Sequence, residues 1–522
     1  MTSSQLSAPV IPDPVPPPRL PAPVAALVGV LSMAAGLATG HLAGGFISPT
    51  ASPFLAVGSS AIDLTPSWLK DFAVRAFGSY DKLILLSGMA VVVGLVGVTA
   101  GLLSRRSRTP GLALIVLLGV VAGVAVVSRP TAGSFDVLAP LVALLASAGT
   151  FVILHCLGQL PTGDTAAGVS RRALLAGSAA VAAGAGIAAA GGQLLAGRSG
   201  VEASRQAVGR VLPVLTPPLI PQGADFAADG SPTFITPNRD FYRVDVNLTL
   251  PQLRAEDWRL RVHGMVGREL TLNWAELTSR PLIERPVTMT CVSNEIGGPY
   301  LSTANFTGVL LADLLREAGV QRGADQVFTT SVDGWTCGSP TAVLADPGRQ
   351  AMLVIAMNGE PLPIEHGFPV RMVVPGLYGF VSGTKWITDM ELTTFDARRA
   401  YWLERGWAQR APIKTMSRID SPGAFGRVRP DTPITGAAWA QTRGIAKVEV
   451  RIDHGEWRPA ELSTEVNVDT WRMFRLRGRW APGAHVAEVR ATDKTGYTQT
   501  ADRAAPIPDG ASGWHSVQFT VL

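Results

Sequence analysis

TMTCVSNEIGGPY, residues 288–300, places Cys291 at the head of a polar, glycine-rich loop. The chain has 3 cysteines, Cys156, Cys291 and Cys337. Cys291 has no CxxC partner and no catalytic His close by in sequence. Two readings are open for it: a small apolar residue at the end of a strand, or a thiolate that binds a metal.

Around that loop, short strands and helices alternate. WRLRVHGMV (258–266) has the alternation of a strand, and GVLLADLLREAGV (308–320) reads as an amphipathic helix closed by Gly319. PVRMVVPG (369–376) is an apolar strand ending in a Pro-Gly turn. These patterns predict an α+β domain over 233–419, after a linker over 198–232 that contains VLPVLTPPLIPQG. Past Ser421 the helix signals vanish. ITGAAWA, IAKVEVRID, WRMFRLRGRW, HVAEVRATD and WHSVQFTVL are short strands at regular spacing, which predicts an Ig-like β-sandwich over 420–522.

The front of the chain is of a different kind. Only 16% of the 522 residues are charged, and the apolar excess sits before about Gly200. PDPVPPPRLPAP predicts a disordered tail over 1–22. Five apolar runs follow, Val24–Ile47, Leu83–Leu103, Leu112–Val127, Val137–Leu157 and Ala173–Leu195. Most approach the roughly 20 residues that span a bilayer. The third is short and the fifth is mostly Ala and Gly. Their clustering favours a membrane region of about five transmembrane helices over 23–197, and argues against buried core helices of a soluble domain. Arg19, the group Arg105, Arg106 and Arg108, and the pair Arg171-Arg172 all fall on one side by the positive-inside rule. The N-terminus is then inside, and everything after Gly200 lies on the extracytoplasmic side of the cytoplasmic membrane. SRRALLAGSAAVAAGAG, from Ser170, reads equally as a twin-arginine export signal or as a topogenic pair before a helix. The balance of +5, with no basic block interleaved with aromatics, argues against nucleic acid as a partner. Nearly uncharged runs argue against a transport path.

Several motifs, in one order, make the part from 230 to 522 resemble the sulfite oxidase family of molybdopterin enzymes. They are TPNRDFY (236–242), WRLRVHGMV, TCVSNEIGG with Cys291, FTGVLLADLLREAGV, MNGEPLPIEHGFPVRMVVPGLYGFVSGTKW (357–386) and the closing GWHSVQFTV. The resemblance implies a molybdopterin domain followed by a sandwich that in the family often makes dimer contacts. It also implies a molybdenum-molybdopterin cofactor with Cys291 as the metal's protein ligand. One soft thiolate beside a pterin dithiolene suffices for such a site, with no CxxC. By the family's pattern Asn238, Phe241 and Tyr242 line the pterin from the first loop. His366 and Arg371 contact the pterin or its phosphate, Gly383, Thr384 and Lys385 close the phosphate pocket, and Ser331 aligns through VFTTSVDGW. Arg suits bidentate phosphate contact, and Arg371 within an apolar strand requires an ionic partner.

The sequence also departs from sulfite oxidases, which read Cys-Ala-Gly-Asn-Arg-Arg after the metal cysteine and hold the substrate anion with arginines. Here the run is Cys291-Val292-Ser293-Asn294-Glu295-Ile296, and Pro237 stands where the first loop has a further arginine. Trp407, in YWLERGWAQR, stands in for the family's active-site tyrosine. Glu295 repels an anion, so Glu295 and Trp407 are candidate pocket residues for a neutral or cationic substrate; the alternative is a surface Glu and a core Trp. The family includes periplasmic reductases of methionine sulfoxide, whose N-x-x-F-Y loop resembles Asn238–Tyr242. The expectation is a membrane-anchored molybdenum oxidoreductase that transfers an oxygen atom on a small S-oxide, N-oxide or related substrate. A sulfite oxidase and a cofactor-free, membrane-tethered binding module are the alternatives. No CxxCH is present, and His41 and His155 fall towards opposite ends of their spans, so no haem is expected. Electrons then come from a separate partner or the quinone pool. Cys156 in a span and Cys337 in a loop predict no disulfide.

Overall fold

The computed structural model describes residues 19–66, 69, 81–130, 132–159, 167–196, 200–212, 218–246 and 248–522. Most of the predicted disordered tail, and residues 198–199 and 213–217 of the predicted linker, lie outside the described residues. The chain divides into two compact units, Met1–Ser199 and Gly200–Leu522.

In the first unit, Ala22–Ile47, Lys82–Leu103, Thr109–Val127, Leu138–Gln159 and Arg172–Leu194 are long and apolar enough to cross a membrane. Each coincides with one of the apolar runs. A shorter apolar helix, Pro53–Leu64, joins them. Small residues let two of the long helices touch backbone to backbone. A Cβ on Gly29 would lie 1.8 Å from the Gly97 carbonyl oxygen, and one on Gly101 would lie 1.8 Å from that of Ala25. The two histidines are engaged separately. His155 Nε2 donates to the Ser104 carbonyl at 2.7 Å, and His41 Nδ1 lies 3.2 Å from Ser52 Oγ.

The second unit opens with a helix, Val201–Val211, inside the segment expected to be linker. Val201 and Val208 are buried, and Arg205 donates to the carbonyls of Leu362 and Pro361 at 2.9 and 3.0 Å. A five-stranded sheet follows, in spatial order Leu270–Asn273, Arg259–Gly264, Ile387–Thr393, Gln326–Ser331 and Thr336–Pro340. Arg259–Gly264 and Ile387–Thr393 run parallel. A second sheet is ordered Leu282–Thr290, Leu301–Leu310, Met352–Met357 and Glu360–Pro361, with Arg371–Val373 also paired to Met352–Met357. The all-apolar run Met352–Met357 is buried along its whole length.

Two local expectations change. The helix expected from 308 starts at Leu311, because Gly308 belongs to a strand. A side chain at Gly308 would lie 2.2 Å from the Leu353 carbonyl oxygen, so the paired strand needs glycine there. The helix ends as expected at Gly319, with φ of 68°. Cys337, expected in a loop, lies fully buried in the strand Thr336–Pro340.

Two further sheets complete the unit. One is ordered Met416–Ser421, Ile434–Trp439, Arg472–Leu476 and Glu461–Leu462; the other Gly426–Val428, His515–Val521, Gly483–Asp493, Ile445–Ile452 and Arg458–Pro459. Ile434 and Phe474 of the first share one apolar core with Val448, Val489 and Phe519 of the second. Buried apolar Ala487, Val489 and Ala491 alternate with the less buried Glu488, Arg490 and Thr492 in the strand Gly483–Asp493, as a strand of a two-sheet stack requires.

Candidate cofactor site around Cys291

The strand Leu282–Thr290 delivers Cys291 to its C-terminal end, and a compact loop returns the chain to the strand starting at Leu301. Cys291 N–H donates to the Tyr300 carbonyl at 3.1 Å, Asn294 N–H to the Cys291 carbonyl at 3.1 Å, and Tyr300 N–H to Asn294 Oδ1 at 2.8 Å. Asn294 is thus the internal tie of the loop. Cys291 Sγ lies 2.9 Å from Ser293 Oγ. Burial pushes the thiol's pKa up, and the contact with Ser293 opposes that shift. The other two cysteines are also free thiols.

Two phenols lie near the sulfur, and a group of cations joins them through Tyr242 and Phe241. Tyr242 and Tyr378 both lie where the charge of Cys291 acts on them. Burial raises both pKa values most, that of Tyr378 to about 12, so both phenols stay protonated at neutral pH. Tyr242 stacks on Phe241 at 5.4 Å, and Phe241 meets His366 edge-on at 5.3 Å. Arg371 is 5% exposed, and its Nη1 donates to the His366 carbonyl at 3.2 Å. Burial pulls its guanidinium down to about 10, still charged at neutral pH. Lys385 Nζ donates to Asp245 Oδ2 at 3.3 Å and to the Glu365 carbonyl at 3.0 Å. Burial pulls it down to about 8, with the Asp245 carboxylate opposing. His366 is held down to about 3 by burial and by the charges of Arg371 and Lys385. It is therefore neutral, with its proton on Nε2, which donates to the Asn238 carbonyl at 3.3 Å.

Several atoms in this cluster lack a protein partner. Arg371 Nε and Ser331 Oγ are buried with no hydrogen bond. The backbone also makes room. Gly383 N–H donates to the Gly379 carbonyl at 2.7 Å, and a Cβ on Gly383 would lie 3.5 Å from Arg371 Nη2. Thr384 is fully buried, its Oγ1 2.7 Å from Thr329 Oγ1. Buried cations with a spare donor, a glycine turn beside them and a thiol nearby fit a phosphate-bearing pterin with a thiophilic metal.

Cys291, Phe241, Tyr242, His366, Arg371 and Lys385 thus form one cluster. Gly383 and Thr384 form its floor, and Ser331 sits opposite Ile387 in the adjoining strand pair. Asn238 joins the cluster through its carbonyl. Its side chain is tied instead to Asn358, at 2.8 Å, and to the Met357 carbonyl, at 3.2 Å. Glu295 is exposed on the Cys291 loop, and its carbonyl accepts from Gly298 N–H at 2.9 Å. Trp407 sits in an aromatic wall, 5.6 Å from Phe380 and 6.0 Å from Trp402. Neither belongs to the cation cluster. Sequence reasoning missed Tyr378, Arg243 and Asp245. Arg243 and Asp245 directly follow the first-loop motif, where a cation and an anion two residues apart were a usable signal. Arg243 Nε donates to Asp245 Oδ2 at 2.6 Å, and the Asp245 side chain is 4% exposed.

Residues 247–402 match the oxidoreductase molybdopterin binding domain. Mitochondrial sulfite oxidase of Homo sapiens is 29% identical over 343 residues, 55% of this chain and 62% of that protein. Nitrate reductase [NADPH] of Emericella nidulans is 34% identical over 192 residues, 32% of this chain and 22% of that protein. The sulfane dehydrogenase SoxCD from Paracoccus pantotrophus superposes with a TM-score of 0.48 at 22% identity, over 57% of this chain and 85% of its own. The chain thus spans 62% of the length of the human sulfite oxidase it matches.

Proposed function

Since the chain belongs to the sulfite oxidase family of molybdopterin-dependent oxidoreductases, we propose that it binds a molybdenum-molybdopterin cofactor through Cys291 and transfers an oxygen atom on a small substrate. The observation that carries this reading is the cluster of Arg371, Lys385 and His366, linked to Cys291 through Phe241 and Tyr242, with Arg371 Nε left unpartnered. When bound, the cofactor supplies two-electron oxygen-atom transfer. The chain's own groups do the rest. Cys291 holds the metal as a thiolate. Arg371 and Lys385 neutralise the cofactor phosphate. His366, neutral at pH 7, keeps its proton on Nε2 and leaves Nδ1 as an acceptor. Tyr242 and Tyr378 keep their protons near the sulfur.

Glu295 on the Cys291 loop disfavours an anion, so the substrate is a neutral or cationic S-oxide, N-oxide or related molecule. Reduction of an S-oxide consumes two protons and two electrons and releases the sulfide and one water. The electrons come from a separate partner or the quinone pool. The five apolar helices anchor the chain in the cytoplasmic membrane with the N-terminus inside and the catalytic unit outside. Arg171-Arg172 serves either as a twin-arginine signal or as a topogenic pair before the fifth helix, and the terminal sandwich is Ig-like and offers a surface for homodimer contact. A second reading, sulfite oxidation, is favoured by the likeness to the human enzyme. The replacement of both loop arginines, by Glu295 and Ile296, counts against it.

The test is metal and pterin content of the full chain from a cofactor-producing host, beside Cys291→Ala. Near-stoichiometric molybdenum and pterin in the wild type, with metal lost in the variant, supports the reading. A screen of S-oxides, N-oxides and sulfite then separates the two substrates. A well-folded wild type with neither metal nor pterin overturns the enzyme and leaves a tethered binding module.

A further inference from the structure

The loop that carries Cys291 does not rest on its own domain alone. Both of its feet stand on the sandwich. On the entering strand, Thr288 N–H donates to the Asp469 carbonyl at 3.0 Å, and its hydroxyl accepts from Trp471 N–H at 2.7 Å. Gln441 Nε2 donates to the Thr288 carbonyl at 3.1 Å. Three residues before Thr288, Arg285 pairs with Asp469 at 2.7 Å, both largely buried.

At the far end of the loop, Arg418 Nη1 donates to the Gly298 carbonyl at 2.7 Å. Arg418 is 9% exposed and is oriented by Asp420, 2.9 Å away. His515 closes the same corner. Its Nδ1 accepts from Ile419 N–H at 3.0 Å, so the proton is on Nε2 and that edge of the ring faces Gly297. A Cβ on Gly297 would lie 2.2 Å from His515 Nε2, and Gly297 has φ of +76°. Only glycine fits that corner. Ile296 packs equally close, its Cδ1 2.9 Å from where a Cβ of Gly513 would be.

We propose that the sandwich positions the Cys291 sulfur, with Arg418 as the positioning residue that clamps the outer end of the loop through the Gly298 carbonyl. Inside the loop, hydrogen bonds join Cys291, Asn294 and Tyr300, and Glu295 and Gly298; Arg418 and His515 supply the ties that fix its far end to the sandwich. A charge-assisted hydrogen bond held in a buried pocket is a strong constraint on a ten-residue loop. On this view the two halves of the second unit form one metal site. The inference rests on Cys291 being the metal ligand only for its loaded-enzyme readout.

The test uses the full chain in detergent, as wild type, Arg418→Met and Arg418→Lys. In cofactor-free protein, alkylation of each cysteine by iodoacetamide is followed by peptide mass spectrometry. Cys337, fully buried, reports general unfolding. Arg418→Met should speed alkylation of Cys291 about tenfold, as expected for the loss of one charged hydrogen bond. Cys337 should stay protected, and Arg418→Lys should restore most of the protection. In loaded protein, Arg418→Met should shift the Mo(V) electron paramagnetic resonance signal at near-wild-type metal content. Unchanged Cys291 reactivity in Arg418→Met overturns the proposal. So does parallel exposure of Cys337, which would make Arg418 a general support of the fold. If Cys291→Ala keeps its metal, the ligand assignment fails alone, and the alkylation result still decides the role of Arg418.

Discussion

Arg371 is a charge inside an apolar strand with one nitrogen unpartnered, an arrangement that costs stability unless an anion arrives. Arg371→Met should therefore lower retained pterin at least tenfold while leaving the melting temperature of the cofactor-free protein equal or higher. Pterin release on denaturation and calorimetry measure the two effects. Lys385 makes a second, pH-dependent prediction. Its pKa falls from 10.5 to about 8 on folding, chiefly through burial. Between those values the unfolded chain binds the proton that the folded chain has shed. This group then makes the cofactor-free fold more stable as pH rises from about 8 to 10.5. Over the same window it loses the charge that grips a phosphate. Melting temperature and cofactor retention should have opposite slopes there, and Lys385→Met should flatten both. Of these residues, Cys291, His366, Arg371 and Lys385 were legible as motif letters. Tyr378 was not, because a buried tyrosine in an apolar turn has no signature until the fold brings it to the sulfur. Trp407 shows the converse. Its position in the motif suggested the pocket, yet its ring contacts are Phe380 and Trp402.

Periodicity located most elements, since strands alternate and apolar runs of membrane length need no tertiary information. It failed where a partner strand decides. Gly308 sits in a helical pattern but is held in a sheet between Ile283 and Val354, and Cys337 sits between turn-like residues but pairs in a strand. The segment 201–211 was hidden differently. VEASRQAVGRV is polar on most of its surface; its two buried valines join an apolar cluster that includes Leu362, and Arg205 bonds the Pro361 and Leu362 carbonyls. A fragment starting at Gly200 should accordingly be more stable than one starting at Pro218. The expected difference is about 2–4 kcal/mol, from two buried valines and two charged hydrogen bonds. Urea unfolding followed by tryptophan fluorescence measures it, and equal midpoints would make the helix an ornament on the surface.

At the scale of the molecule, the chain divides at Ser199 and Gly200, close to where the composition shifts from apolar runs to charged and turn residues. The mutual support of the two domains in the second unit was not legible in the sequence, since contacts such as Arg285 with Asp469 join residues 184 positions apart. If Arg171-Arg172 directs export, replacing both with Lys should leave the second unit inside the cell, protected from protease added to spheroplasts. Normal surface digestion would instead make the pair a topogenic charge. The long-range anchors of the Cys291 loop also impose an order in time. Thr288 and the Trp471 that braces it are separated by 183 residues, and His515 emerges later still. At about 5–20 residues per second, roughly ten to forty seconds of translation pass before Thr288 can meet Trp471. A cofactor delivered to the nascent chain would find the sulfur on an unbraced loop. Stable insertion of a pterin therefore belongs after Trp471 and His515 have left the ribosome.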